Sequence, residues 1–272
     1  FALLNPGTRT MTDAGITSRG RVVGHFPHPD DEAYAAGGTL TLLAQNGFDI
    51  RVVCATRGER GGRRDGVPIS PPELAALRGR ELLASCGEMG IQKVGFLDFL
   101  DGAVHEQLHE SGVQRVLEEL DLQSVQAVIT LGWDGVYGHR DHIATTKLLH
   151  GALELMEPGT RPLILHCAFP RGLFAGIHRS LSKMPPPGVL ADLGEEELGN
   201  NPEDVALRVD ISSVRAQKLA AIAAHRSQLL DGDPMKFFGG KIIPRLLDEE
   251  RFVCAAGALD RLPEFGLPLA EP

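Results

Sequence analysis

The chain predicts an α/β protein built on a doubly wound, mostly parallel, Rossmann-like sheet with an irregular excursion towards its C-terminal end. Three observations carry this. Short β-rich apolar segments alternate with helix-compatible ones, glycines stand where helices should stop, and the two densest histidine–carboxylate clusters each follow a strand. Strands buried on both faces read as continuous apolar runs, and their alternation with helices marks a parallel sheet.

"RVVGHF" (21–26) opens the sheet, and a helix follows over 32–46 that "QNG" (45–47) ends. "DIRVVCAT" (49–56) is the second strand, with a helix over 72–89 stopped by "EMG" (88–90). Gly past a helix end supplies the left-handed turn that releases the chain. "KVGFLDF" (93–99), a helix over 112–121, "VQAVITL" (125–131), a helix over 141–156 and "RPLILHCAF" (161–169) complete the regular part. "SKMPPPGVLADLGEEELGNNPEDV" (182–205) then reads as surface excursion, because three prolines and a Gly/Asn cluster continue neither helix nor central strand. "ALRVDIS" (206–212) returns as a strand and "SVRAQKLAAIAAHRSQLL" (213–230) as one helix. Residues 20–272 are therefore expected to form one domain behind a mobile tail, 1–19, in which Met11 is a candidate natural start.

The 272 residues, 43% of them hydrophobic, suffice for one large core. A net charge of −9 argues against a nucleic-acid partner, whose phosphates need basic groups, and favours a small-molecule substrate. No apolar run approaches the roughly 20 residues of a membrane span, and the opening segment lacks a secretory signal pattern. Cys54, Cys86, Cys167 and Cys254 form no CxxC pair, so a reducing, cytoplasmic location is expected. A homo-oligomer remains compatible with all of this.

"HPDDE" (28–32) follows the first strand, where open α/β sheets bind their ligands. Burying adjacent acids costs several kcal/mol per ion unless a cation holds them. Catalytic zinc takes three nitrogen or oxygen ligands and keeps one position open. His28 and Asp31 supply two, and the third is expected from "GWDGVYGHRDH" (132–142), where His139 and His142 bracket Asp141. Either cluster alone fits an ordinary helix cap or surface loop; two at one sheet edge favour a metal. A rival lies at "HEQLH" (105–109), which matches the H-E-x-x-H pattern of metalloproteases. It lacks the third ligand that such sites need, since Arg115 stands where a further His is required, and glycines flank it.

Together, "HPDDE" and "GHRDH" resemble the paired motifs of the PIG-L/LmbE-like de-N-acetylases, and "TRGERG" (56–61), "LRGREL" (77–82), Asp101-Gly102 and "KLAAIAAHRSQ" (218–228) are similar to the family's other landmarks. The resemblance implies a zinc-dependent deacetylase, with Fe2+ an alternative metal, that attacks the amide of an N-acetylglucosamine-type substrate with zinc-activated water. It makes His28, Asp31 and His142 the ligands and Asp30 the general base. His139, oriented and kept cationic by Asp141, would meet the oxyanion, with Tyr137 as a second donor. Asp101 would contact sugar hydroxyls, though Asp-Gly reads equally as an ordinary turn, and Glu59 lies in the loop beside the site. Read from the residues alone, the arginine run 57–66 offers a rim that grips a substrate phosphate or carboxylate through one Arg, such as Arg64. Pro27 departs from the small residue usual there and stiffens the ligand loop. Alternatives are an amidase for a thiol-conjugate or other amide, and a sugar- or metal-binding protein without turnover. The retained Asp30 and His139 argue against pure binding. His225 with Gln228 reads equally as a packed cluster or a substrate contact, and Trp133 as packing.

Overall fold

The computed structural model describes residues 10–11, 17–183, 189–238, 241–257 and 259–270. Two short strands, β1 (Thr10–Met11) and β2 (Thr17–Ser18), pair antiparallel. The rest of the segment read as a mobile tail lies largely outside the described residues. The main sheet comprises β3 (Arg21–Phe26), β4 (Asp49–Cys54), β5 (Lys93–Phe96), β6 (Ala127–Leu131), β7 (Leu163–Ala168), β8 (Leu207–Asp210) and β9 (Glu249–Ala256). Their order is β5-β4-β3-β6-β7-β9-β8, parallel from β5 to β7, with β9 antiparallel to both of its neighbours.

The helices are α1 (Asp31–Gln45), α2 (Pro71–Glu88), α3 (Glu110–Glu119), a kinked turn α4 (Gly135–Gly138), α5 (Arg140–Glu154), α6 (Ala175–Leu181) and α7 (Arg215–Ala224). One core packs Val22, Ile50 and Ile129 with Leu40, Leu82 and Ile222 from α1, α2 and α7. The other packs Val23, Val53 and Val128 with Val116 and Leu148 from α3 and α5. Alternate residues of β3 thus face opposite cores, which is why its apolar run is unbroken.

From β3 the chain moves outward to β4 and β5, then returns to β6 on the other flank of β3. The strand order reverses between β3 and β6, and at such a point the loops leaving two neighbouring strands separate and open a crevice. Both histidine–carboxylate clusters leave the sheet there.

Most boundaries match the sequence reading within two or three residues, as frayed ends allow. Three features differ. The helix expected over 213–230 stops at Ala224, and the chain continues through a 3-10 turn at Arg226–Gln228. The short helix α6 lies between the last regular strand and the excursion, where the sequence reading placed no element. Strand β9, "EERFVCAA", was not anticipated because it opens on two acids. Glu250 nevertheless points inward: it accepts from Lys218 Nζ at 2.6 Å and from the backbone N–H groups of Gly38 and Thr39 at 2.8 and 2.7 Å. Lys218 and Glu250 are both buried, a pair tolerable only because each charge has its partner. Gly38 sits inside α1 because a Cβ there would stand 2.6 Å from Ile211.

Candidate active site at the β3/β6 crevice

Pro27, His28 and Pro29 carry the chain from β3 into α1, and Asp30 caps that helix with φ 125°. This conformation is costly for any side chain, on the order of 1–3 kcal/mol, so its surroundings must hold it. They do so on three sides. Asp30 N–H donates to Glu32 Oε2 at 2.9 Å, and Arg78 Nη2 reaches both Asp30 Oδ2 at 2.9 Å and Pro29 O at 2.6 Å. Glu32, fully buried, also accepts from Ser85 Oγ at 2.6 Å and meets His225 Nε2 at 2.7 Å. A second strained residue, Val136 at φ 70°, lies in the turn that aims the other cluster. Strain gathers where the site needs geometry that the chain would not choose alone.

The two clusters converge. Asp31 Oδ2 lies 3.4 Å from His28 Nδ1 and 3.5 Å from His142 Nε2. Ligands about 2.0–2.1 Å from a tetrahedral zinc stand about 3.3 Å from one another, so these separations suit a metal. The tautomers agree with it. His142 Nδ1 is engaged with Gly135 O at 3.1 Å, leaving Nε2 buried with no hydrogen-bond partner. His28 turns Nε2 towards Asp101 Oδ1 at 3.1 Å, which leaves Nδ1 facing Asp31. A carboxylate behind a histidine fixes its ring and raises its basicity as a ligand. Tyr34 donates to Asp31 Oδ1 at 2.7 Å and holds that carboxylate in turn. His28, Asp31 and His142 form one group able to hold a metal, and His28, His139 and Asp141 form another.

Charge follows from these contacts. Burial raises the Asp31 carboxyl, but His142 and His28 outweigh it and pull it well below the usual range. Burial pushes His142 down to about 4, against the pull of Asp31. For Asp30, burial outweighs the Arg78 guanidinium and lifts the carboxyl to about 6. His28 is depressed by burial, yet the carboxylates of Asp101, Asp141 and Asp31 raise it well above the ordinary value.

Two expected roles change. The Asp141 carboxylate does not reach His139: it accepts from Gly102 N–H at 2.5 Å and Val104 N–H at 3.2 Å and lies 3.4 Å from His28 Nε2. It is the Asp141 backbone N–H that donates to His139 Nδ1, at 3.1 Å. Nor is His139 held cationic, because burial and the nearby His142 and His28 rings push it well below the histidine range despite Asp141. A neutral His139 that accepts at Nδ1 carries its proton on Nε2 and remains a donor there.

A cavity of about 600 Å³ opens over this centre, and His28, Asp30, Asp101, Tyr137, His139 and Asp141 line it. Arg64 sits on its exposed rim. Glu59 is not in the lining: its Oε1 accepts from Asp101 N–H at 2.9 Å and supports that turn. Asp101, expected to read sugar hydroxyls, has one oxygen on His28 and the other on Arg60 N–H at 2.8 Å. The H-E-x-x-H segment forms no such centre. His105 lies in a 3-10 turn, while His109 caps α3 by accepting from Gly112 N–H. Both are exposed, and they share no helix face.

Sequence reasoning passed over Arg78 and Glu32 as individual site residues and left His225 undecided. Their signal was burial of charge inside helix-forming segments, which no local pattern displays.

The family model for PIG-L, GlcNAc-PI de-N-acetylase, matches residues 25–153. The 1D-myo-inositol 2-acetamido-2-deoxy-alpha-D-glucopyranoside deacetylase of Saccharomonospora viridis is 32% identical, over 85% of this chain and 93% of that protein. A Bacillus cereus protein described as probable N-acetyl-alpha-D-glucosaminyl L-malate deacetylase 2 is 31% identical over 75% of this chain and 81% of its own length. Among solved structures, the N,N'-diacetylchitobiose deacetylase of Pyrococcus horikoshii has the same fold, with TM-score 0.56 and 23% identity over 85% of this chain and 82% of that one. Extended likeness to these relatives, with both motifs inside the matched region, shows that the chain belongs to the PIG-L/LmbE-like de-N-acetylase family.

Proposed function

We propose that residues 20–272 act as a metal-dependent hydrolase that removes acetyl from an N-acetylglucosamine-type substrate. The observation that carries this is the partnerless, buried His142 Nε2 facing Asp31 and His28, with Asp30 beside them at the floor of an open cavity. The names of relatives above 30% identity support the substrate class.

His28 Nδ1, Asp31 and His142 Nε2 would hold the metal, and their nitrogen and oxygen donors suit Zn2+, with Fe2+ the alternative. When bound, it supplies Lewis acidity to the amide carbonyl and to the attacking water. Arg78 grips Asp30 Oδ2, which leaves Oδ1 to accept the proton of that water and return it to the leaving nitrogen. Water oxygen bonds to the acyl carbon, the C–N bond breaks, and acetate and a free amine result. His139 and Tyr137 line the same cavity, and His139 Nε2–H and the Tyr137 hydroxyl would serve as donors to the oxygen that gains charge. Asp141 acts behind them by holding the 102–104 backbone and His28. Arg64 at the rim, with Asp101 at the floor, would meet the remainder of the substrate.

The test is amine release from N-acetylglucosaminyl malate and N-acetylglucosaminyl inositol by chelator-stripped protein reloaded with one equivalent of Zn2+ or Fe2+. Release is expected to track metal content. A metal-loaded protein that frees no amine from either glycoside would overturn the reading.

A further inference from the structure

A second cavity, of about 350 Å³, adjoins the first and shares Asp30, Arg64, Tyr137, Leu181 and Gln228 with it. Ile177 of α6, Phe237 and Phe238 form an apolar wall of this cavity and do not line the first, whose aliphatic side chains are Leu181, common to both, and Val189; Arg64, Ser180, Gln228 and Lys236 line the second cavity too. The Phe237 and Phe238 rings pack edge to face at 4.6 Å, and Phe238 meets Tyr34 in the same manner at 4.8 Å. Both phenylalanines are only half-buried. Lys236, the cation nearest to them in sequence, is paired with Asp231 at 3.1 Å.

We propose that this chamber receives the acyl arm of the substrate amide, so that the enzyme cleaves amino sugars bearing straight acyl chains longer than acetyl. The inference rests on the hydrolase reading above and adds the identity of the acyl group. An amide has two arms, and they leave its carbonyl in opposite directions. The sugar arm needs hydrogen-bonding groups, which the larger cavity offers through Asp101, His105, Arg60 and Arg140. Any aglycone is attached to the sugar and stays with it. The acyl arm must then leave the junction at Asp30 and Tyr137 on the other side, where the apolar wall stands. An acetyl methyl fills only about the 30 Å³ of a water molecule's share, a small part of that space. Chain length leaves the chemistry unchanged: water oxygen bonds to the acyl carbon, the C–N bond breaks, the nitrogen takes the proton, and a carboxylic acid and an amine form.

Each methylene buried against such a wall is worth roughly fourfold in kcat/KM. N-acetyl-, N-butanoyl- and N-hexanoylglucosamine should be assayed for amine release with the metal-loaded full chain. Hexanoyl is expected to exceed acetyl at least tenfold in kcat/KM. Ile177→Trp, which fills the chamber, should lower the hexanoyl-to-acetyl ratio at least tenfold, with metal content and melting temperature reporting an intact fold. Phe238→Ala, which removes wall area, should lower the same ratio if the larger substitution fails to fold. A protein that cleaves acetyl but hexanoyl no faster overturns the acyl chamber and leaves the hydrolase reading standing. A gain from an octyl glycoside of N-acetylglucosamine without a gain from hexanoyl also overturns it, by assigning the wall to the aglycone. Loss of turnover on every substrate by the metal-loaded protein defeats the hydrolase reading itself.

Discussion

The loops leaving β3 and β6 and the segment His105–His109 carry similar inventories of histidine and carboxylate, yet only the loops bring their donors to one point. His28, Asp31 and His142 come from two neighbouring strand ends, are buried, and aim three ligand atoms at a common centre. His105 and His109 are four residues apart in a helix-type pattern, but the chain turns between them and both stand in water. Ligand spacing becomes geometry only when the backbone under it is regular or when the fold supplies the second anchor. The difference is also energetic. Burial strips the water from His142 Nε2 and leaves a lone pair that a metal can satisfy, whereas an exposed imidazole is already hydrated.

Substitutions can break this comparison, and the largest effect is expected at its centre. His142→Ala should take bound metal from about one equivalent per chain to almost none, whereas His105→Ala and His109→Ala should retain it. Elemental analysis of the three proteins decides this, and the opposite pattern would move the centre to the H-E-x-x-H segment. Asp30→Asn should keep the metal and lose about 10²–10⁴-fold in kcat/KM, because the amide takes no proton from water. Near-normal amine release by that variant, with metal bound, would remove Asp30 from the reaction.

Asp101→Asn sharpens the comparison, since it probes support behind a ligand. If its main role is to hold His28, metal affinity should fall about 10–100-fold in a competition titration with a chelator. Unchanged affinity with a raised KM would limit Asp101 to its contact with the substrate. The smallest effect is expected at His109, whose imidazole only caps α3. His109→Ala should lower unfolding free energy by under about 1 kcal/mol in a denaturant titration, with turnover within twofold of the parent chain. A larger loss of turnover there would show that His109 serves the site too, although of the two histidines His105 is the one that lines the cavity.

The alternation of apolar strands with helices, the glycine stops and the two motif loops were legible along the chain because each is a local property of period, turn chemistry or composition. The order β5-β4-β3-β6 could be expected only in kind, and it is this order that sets residues 28–31 beside residue 142. Strand β9 stayed hidden because an inward glutamate reads as surface until Lys218 and the Gly38 and Thr39 amides are seen around it. Likewise Asp141 reads as the partner of a neighbouring histidine, whereas packing turns its carboxylate to the Gly102 and Val104 amides. Sequence by itself determined which residue types were available and where strands would deliver them. Tertiary structure alone decided which charges met, because Arg78 and His225 beside Asp30, His28 beside His139 and Asp31 beside His142 are tens to hundreds of residues away along the chain, although the tautomers of His139 and His142 are set by nearby backbone.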